Sequence, residues 1–227
     1  MQGRENIEIK ACLFDLDGVL VDTAVYHYQA WKRLAGTLGF DFTEAQNEEL
    51  KGISRIESLQ KILKWGGVKK DVAAQEELAT IKNDWYVEMI SKMTPAELLP
   101  GTIDFLTATR TAGYKTALGS ASKNSALILE RTGLAGYFDA LVDGNIVSRS
   151  KPDPEVFLTG ARLLNVGPEA CVVFEDAVAG IAAAKNAGMV AVGIGKKETL
   201  STADLIVSGL DKMNIQILKD LEAGMAV

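Results

Sequence analysis

The run Ala11-Cys12-Leu13-Phe14-Asp15-Leu16-Asp17-Gly18-Val19 decides how the chain is read. Its first four residues are continuously apolar, the pattern of a strand buried on both faces of a parallel sheet. Two aspartates follow, two positions apart, and Gly18 lets the backbone turn sharply after them. Similar runs recur at 116–118, 140–142, 171–174, 190–194 and 205–207. Helix-period segments lie between most of them, at 103–112, 125–131, 155–164 and 177–187, several ending at Gly113, Gly133 or Gly188. This alternation predicts an α/β fold: a doubly wound parallel-sheet core of Rossmann type.

The alternation breaks after the first strand. Residues 23–94 read as purely helical, with Val25, Trp31, Leu34 and Leu38 in helical register, then Ile56, Leu59, Ile62 and Leu63, then Ile81, Trp85, Val87 and Ile90. We therefore expect a core of residues 1–22 and 95–227 with a helical cap, 23–94, inserted after the first strand. Pro95, Pro100 and Gly101 mark the return to the core. Both crossings flank the strand end, so the cap can close over what that strand presents. Residues 1–7 are expected to form a disordered extension.

With 227 residues, 48% of them hydrophobic, the chain can bury one substantial core and a smaller satellite. A net charge of -6 argues against a nucleic-acid surface, and any anionic substrate must be met by local cations. No apolar run approaches a membrane span and residues 1–10 lack a signal-peptide core, so a soluble, cytoplasmic enzyme is expected, and a monomer because the cap already covers the cleft. Cys12 and Cys171 sit in strand-like runs without a CxxC pair, which favours packing roles. The single histidine, His27, excludes multi-histidine metal sites, and no GxSxG elbow supports a Ser-His triad.

Ligands of open α/β sheets bind beyond the carboxyl ends of the strands, which gathers Asp15, Asp17, Ser120, Ser122, Lys151, Glu175 and Asp176 around one crevice. Two carboxylates about 4 Å apart repel by about 4 kcal/mol at an effective dielectric of about 20, so these acids need a cation to converge. Hard oxygen donors point to Mg²⁺ held by Asp15, Asp17, Glu175 and Asp176. Asp15 can then attack phosphorus and Asp17 can serve as general acid and base. Plainer readings stand beside these: Asp17-Gly18 as a turn, and Glu175-Asp176 as a helix cap. Ser120-Ala121-Ser122-Lys123-Asn124 opens a helix, as an oxyanion site or as an ordinary N-cap. Lys151 either neutralises charge on a transferring group or is a solvated surface lysine.

Taken in order, Asp15-Leu16-Asp17-Gly18, Ser120, Lys151 and Glu175-Asp176 resemble the four motifs of the haloacid dehalogenase (HAD) superfamily. Membership alone leaves phosphatase, phosphonatase, dehalogenase and mutase chemistry open. The cap narrows this. Thr23-Ala24-Val25-Tyr26-His27-Tyr28-Gln29-Ala30-Trp31, Leu50-Lys51-Gly52-Ile53-Ser54-Arg55, Ser58-Leu59-Gln60-Lys61-Ile62-Leu63 and Lys82-Asn83-Asp84 resemble the β-phosphoglucomutase family, as does Ser120-Ala121-Ser122-Lys123-Asn124. That family interconverts β-D-glucose 1-phosphate and glucose 6-phosphate through β-glucose 1,6-bisphosphate, which the resemblance also implies as primer.

The same resemblance implies that Arg55 holds the non-transferring phosphate and that Lys51, Gly52 and Ser58 contact sugar or phosphate. His27 and Lys82 would couple cap closure to the placing of Asp17. Gly18, Thr23, Trp31, Ser120, Ala121, Ser122, Lys123, Asn124 and Lys151 complete the implied substrate-binding set, although the register of Trp31 with Val25, Leu34 and Leu38 favours packing. Small sugar phosphates are the expected partners. The competing readings are a sugar-phosphate or phosphoglycolate-type phosphatase and a noncatalytic phosphosugar-binding regulator.

Overall fold

A computed structural model describes residues 8–223 of the chain. The expected extension, residues 1–7, lies outside the described residues. The strands are β1 (Ala11–Phe14), β2 (Lys115–Gly119), β3 (Ala140–Val142), β4 (Cys171–Glu175), β5 (Val190–Ile194) and β6 (Leu205–Val207). All pair in parallel, in the order β3-β2-β1-β4-β5-β6. This order reverses direction between β1 and β4, which is where an open doubly wound sheet offers its binding crevice. The expected runs are all present as strands, with β2 one residue longer at each end and β4 one longer at its carboxyl end.

The helices are α1 (Ala24–Thr37), α2 (Glu44–Glu48), α3 (Arg55–Trp65), α4 (Val72–Ile90), α5 (Thr102–Thr111), α6 (Ser125–Thr132), α7 (Glu155–Leu164), α8 (Val178–Asn186) and α9 (Ile215–Glu222). Strand residues alternate between two apolar layers. Cys12, Phe14, Val172 and Phe174 face one side with Phe105, Ile128 and Leu218, while Leu13, Ala117 and Val173 face the other with Phe157, Ala161 and Ile181. Both faces are thus covered by helices, and the strands read as unbroken apolar runs for that reason.

Helices α1 to α4 make the insert, with a third apolar cluster of their own built on Trp31, Leu34, Phe42, Leu59, Ile62 and Leu63. This cluster is distinct from the two that flank the sheet. Ser54 and Thr43 open α3 and α2 with reciprocal capping boxes, and Asp71 caps α4. Two of the expected face residues, Val25 and Ile56, are exposed instead, because each sits in the first turn of its helix, ahead of the packed stripe. The two links between core and cap run side by side: Asp22 N donates to Glu97 O at 3.0 Å, Leu99 N to Leu20 O at 3.0 Å, and Val21 and Leu98 form an antiparallel bridge.

Candidate active site

Asp15 is the first residue beyond β1, and Glu175 closes the neighbouring β4. Asp15 N donates to Phe174 O at 3.0 Å, so the ladder continues one step past the strand and fixes the aspartate backbone. Beneath it the Phe14 and Phe174 rings stack at 4.7 Å, and Phe105 meets both edge-on. Such contacts add about 0.5–1.5 kcal/mol each beyond area burial and give the site a stiff floor.

Two glycines let the acids approach. Gly18 has φ +79°, and a Cβ there would stand 2.2 Å from Asp176 Oδ2. A Cβ on Gly180 would stand 2.0 Å from Glu175 Cδ. With both absent, Asp15, Glu175 and Asp176 bring oxygens within 4.8 Å of one another. Lys151, buried rather than solvated, places Nζ 2.6 Å from Asp15 Oδ1 and 2.7 Å from Glu175 Oε2. Burial disfavours the ammonium of this lysine, but Asp15 and Glu175 outweigh it and hold Lys151 above the usual lysine range.

One cation does not neutralise three acids. Burial, and next repulsion from Asp15, raise Glu175 above the usual carboxylate range; burial raises Asp176 as well, with Lys51 opposing. The oxygen-only donor set and its excess of negative charge fit a hard divalent ion such as Mg²⁺. Glu175 Oε1 also accepts from Ala177 N at 3.1 Å, so it serves the start of α8 as well as the acidic group.

Asp17 departs from the expected set of four converging carboxylates. Its Oδ1 accepts a short hydrogen bond from Thr23 Oγ1, and its side chain stands outside the group formed by Asp15, Glu175 and Asp176. The turn at Gly18 separates the two roles, because it carries the chain back so that Thr23, at the entry to the cap, captures the second aspartate. Burial, followed by repulsion from Asp15, pushes Asp17 up to about 7. A carboxyl poised near neutrality suits proton transfer in both directions.

The cap contributes a cationic group. Lys82 is 1% exposed, and its Nζ lies 3.1 Å from His27 Nδ1 and 4.4 Å and 4.5 Å from the ring centres of Trp31 and Tyr86. Burial and then Arg55 lower it to about 7. Burial, Lys82 and Arg55 together hold His27 well below its ordinary value, so the imidazole is neutral. Arg55, half-buried at the first position of α3, has no carboxylate within ion-pair distance among the described residues. Ser58 is buried one turn further along α3. Trp31 belongs to the apolar centre of the cap while its ring also lies under Lys82. Asp84 acts on Arg55 and Asp17 on Lys82 without an ion-pair contact to either, so basic groups gathered without a paired acid form a receptor for an anion.

The loop after β2 is internally wired. Ser120 Oγ accepts from Ser122 N at 3.1 Å, and Ser122 Oγ accepts from Asn124 N at 3.2 Å. Gly144 N donates to Ser122 O at 3.1 Å and Asn145 Nδ2 to Lys123 O at 2.9 Å, so the core buttresses it. Ala121 is half-buried, with its carbonyl against Gly144, and the Lys123 side chain is exposed. Asn124 occupies the N-cap position of α6 without capping it, which leaves the first amides of that helix free for an anion.

Cap and core also meet around these groups. Lys51 Nζ lies 3.2 Å from Asp176 Oδ2, Gly52 packs against Ala177 and the stem of Lys151, and Asn124 Nδ2 donates to Asn83 Oδ1 at 2.9 Å. Sequence reasoning missed Asn83 and Tyr86 as members of the site. The buried stripe of α4 is Ala79, Lys82, Tyr86 and Ile90, at helical spacing, and a lysine inside it hid the pattern.

Comparison with known proteins agrees with this geometry. The haloacid dehalogenase-like hydrolase family profile matches residues 9–188. A Bacillus subtilis β-phosphoglucomutase is 44% identical over 214 residues, 93% of this chain and 95% of that protein. A Thermotoga maritima phosphorylated carbohydrates phosphatase is 34% identical over 80% of this chain and 82% of its own length. The crystal structure of a Clostridium difficile β-phosphoglucomutase superposes with a TM-score of 0.91 at 40% identity, covering 95% of this chain and 97% of the other. With the strand order, the acidic group at the ends of β1 and β4 and a profile match over most of its length, the chain belongs to the haloacid dehalogenase-like hydrolase family.

Proposed function

We propose that the chain is a β-phosphoglucomutase, interconverting β-D-glucose 1-phosphate and glucose 6-phosphate, and that its substrate-recognising residues lie in the cap. The observation that carries this is the pairing of two opposite sites: acids with Lys151 at the sheet, and Arg55, Lys82 and His27 beneath the cap. A mutase must hold two phosphates at once in its bisphosphate intermediate, one at each site. A phosphatase needs only the first. The 44% identity to the Bacillus subtilis enzyme, over nearly the whole of both chains, supports the same choice.

Asp15, Glu175 and Asp176 would hold Mg²⁺, which when bound offsets the negative charge gathered between Asp15 and a phosphate. In the proposed reaction Asp15 Oδ attacks phosphorus, the P–O bond to the sugar breaks, and Asp17 donates the proton that the departing sugar oxygen needs. Lys151 neutralises charge on the transferring oxygens, and the loop Ser120–Asn124 with the amides of α6 receives them. Arg55 grips the distal phosphate with its planar guanidinium, helped by Lys51 and Ser58. That half-reaction turns β-glucose 1,6-bisphosphate into glucose 6-phosphate and leaves Asp15 phosphorylated; the 6-hydroxyl of an incoming β-glucose 1-phosphate then attacks the aspartyl phosphate, Asp17 accepts its proton, the P–O bond to Asp15 breaks, and the new bisphosphate turns end for end for the next cycle.

Water threatens that intermediate. Thr23 holds Asp17 at the mouth of the cap, so a sugar phosphate that draws Arg55 and Lys82 down also closes out solvent as the proton donor is engaged. Incubation with β-glucose 1-phosphate, catalytic β-glucose 1,6-bisphosphate and Mg²⁺ should yield glucose 6-phosphate. Inorganic phosphate as the main product would establish the sugar-phosphate phosphatase reading instead.

A further inference from the structure

Tyr86 lies on the buried stripe of α4, one turn after Lys82, and is 1% exposed. Its ring is well packed: the His27 ring centre lies 4.2 Å away, and Lys82 Nζ lies 4.5 Å from its centre. Its hydroxyl is not engaged. Among the described residues the Tyr86 oxygen is a buried side-chain polar atom with no hydrogen-bond partner. Burial, and then the charge of Asp17, raise this hydroxyl well above the usual tyrosine range, so it is neutral; Thr23 and Arg55 oppose. Thr23 is close enough to act on it, yet the Thr23 hydroxyl proton is given to Asp17 Oδ1. A phenylalanine would fill the same space without desolvating a polar atom, so the hydroxyl weakens the resting protein and calls for a role in another state.

Proton transfer supplies that state. Asp17 stands outside the group of Asp15, Glu175 and Asp176, so to serve a sugar oxygen bound to phosphorus at Asp15 its carboxyl must turn away from Thr23. Thr23 is fully buried, and in a site closed to water that turn would strand its hydroxyl. We infer that Tyr86 is a positioning residue for the proton transfers of Asp17: as the Thr23–Asp17 bond opens, the Thr23 O–H donates to the Tyr86 oxygen instead. The resting state holds one unpaired hydroxyl and the released state pairs it, so the arrangement favours delivery of Asp17 to the substrate. The inference rests on the reading of Asp17 as proton donor in the mutase reaction.

The test compares wild type, Tyr86→Phe, Thr23→Val and the double variant. Tyr86→Phe keeps the ring on which His27 and Lys82 pack and removes one oxygen. Two readouts are taken: the urea midpoint of the metal-free protein, and kcat and KM for β-glucose 1-phosphate with Mg²⁺ and catalytic bisphosphate. Tyr86→Phe should unfold at or above the wild-type midpoint while kcat falls about tenfold, the size of one unmade buried hydrogen bond, and KM moves less than about twofold. A residue with a packing role alone would not lower kcat while leaving the fold as stable. On the Thr23→Val background, which has no hydroxyl to hand over, Tyr86→Phe should change kcat less than about twofold. A Tyr86→Phe midpoint below wild type, a kcat within about twofold of wild type, or a tenfold loss repeated on the Thr23→Val background would overturn the inference. Release of inorganic phosphate as the main product of wild type would remove the mutase reading alone. The urea midpoints and the same kcat ratios, taken on that hydrolysis, then still decide the role of Tyr86, because Asp17 gives a proton to the departing sugar oxygen in either reaction.

Discussion

Lys51 Nζ lies 3.2 Å from Asp176 Oδ2, so a side chain of the cap is paired with the acidic group at the sheet. The lysine also pairs with Glu48 at 2.9 Å, which presents its ammonium to the core from the segment between α2 and α3. Its side chain is 33% exposed, and a partly solvated pair of this kind contributes about 1 kcal/mol.

Lys51→Met should therefore raise KM for the sugar phosphate about fivefold. Added salt should weaken substrate binding by wild type and affect the variant less, because screening acts on the pair that the variant lacks. Steady-state kinetics at low and high NaCl measure both effects, and equal salt dependence would contradict this role for the pair.

Arg55 should carry the distal phosphate. Arg55→Ala is expected to reduce kcat/KM about 10–100-fold, the size of a lost charge-assisted bidentate contact, and Arg55→Lys to recover only part of it. A kcat/KM within about twofold of wild type would mean that the phosphate is held elsewhere.

Gly180→Ala places a methyl 2.0 Å from Glu175 Cδ. Helix α8 and the buried Glu175 must separate to accept it, so we expect a loss of about 1–3 kcal/mol in urea unfolding. The variant should also lose most of the stabilisation that Mg²⁺ gives wild type, measured against a chelator control.

Asp17 is held near 7 in the folded protein against an ordinary value of 3.8. A carboxyl raised in this way binds more protons folded than unfolded between those limits, so its contribution worsens as pH rises through the window. Metal-free wild type should lose stability relative to Asp17→Asn between about pH 4 and pH 7, with the gap constant above. Urea midpoints across that range test the sign; a gap that shrinks as pH rises would show that Asp17 is not raised.

How far the sequence could be read depended on what each signal measures. Continuous apolar runs report burial on both faces, and all six strands were visible as such runs. Asp15, Lys151, Glu175 and Asp176 were traceable because each lies at or near the carboxyl end of a strand or at the start of a helix, where topology decides location. Asp17 was harder. Proximity in sequence to Asp15 does not say which donor captures its carboxylate, and Thr23 lies across a turn. Of the residues read in register along α4, Ile81, Trp85, Val87 and Ile90, only Ile90 lies on its fully buried face, since an apolar count cannot anticipate a lysine enclosed by Trp31, Tyr86 and His27. Contacts across the seam, such as Asn83 with Asn124, depend on tertiary docking and leave no periodic trace.

The paired links at Leu20–Asp22 and Glu97–Leu99 leave the sheet side by side, held by their own hydrogen bonds and one antiparallel bridge. Their spacing, about 5 Å for bridged chains, is the one dimension an inserted module must match at its ends. A different helical unit with termini that close together could be transplanted onto this sheet without altering Asp15 or its floor of phenylalanines. Recognition and bond-making are thereby separable by splicing, and the same reactive carboxylate could be redirected to new sugars by exchanging one contiguous piece of chain.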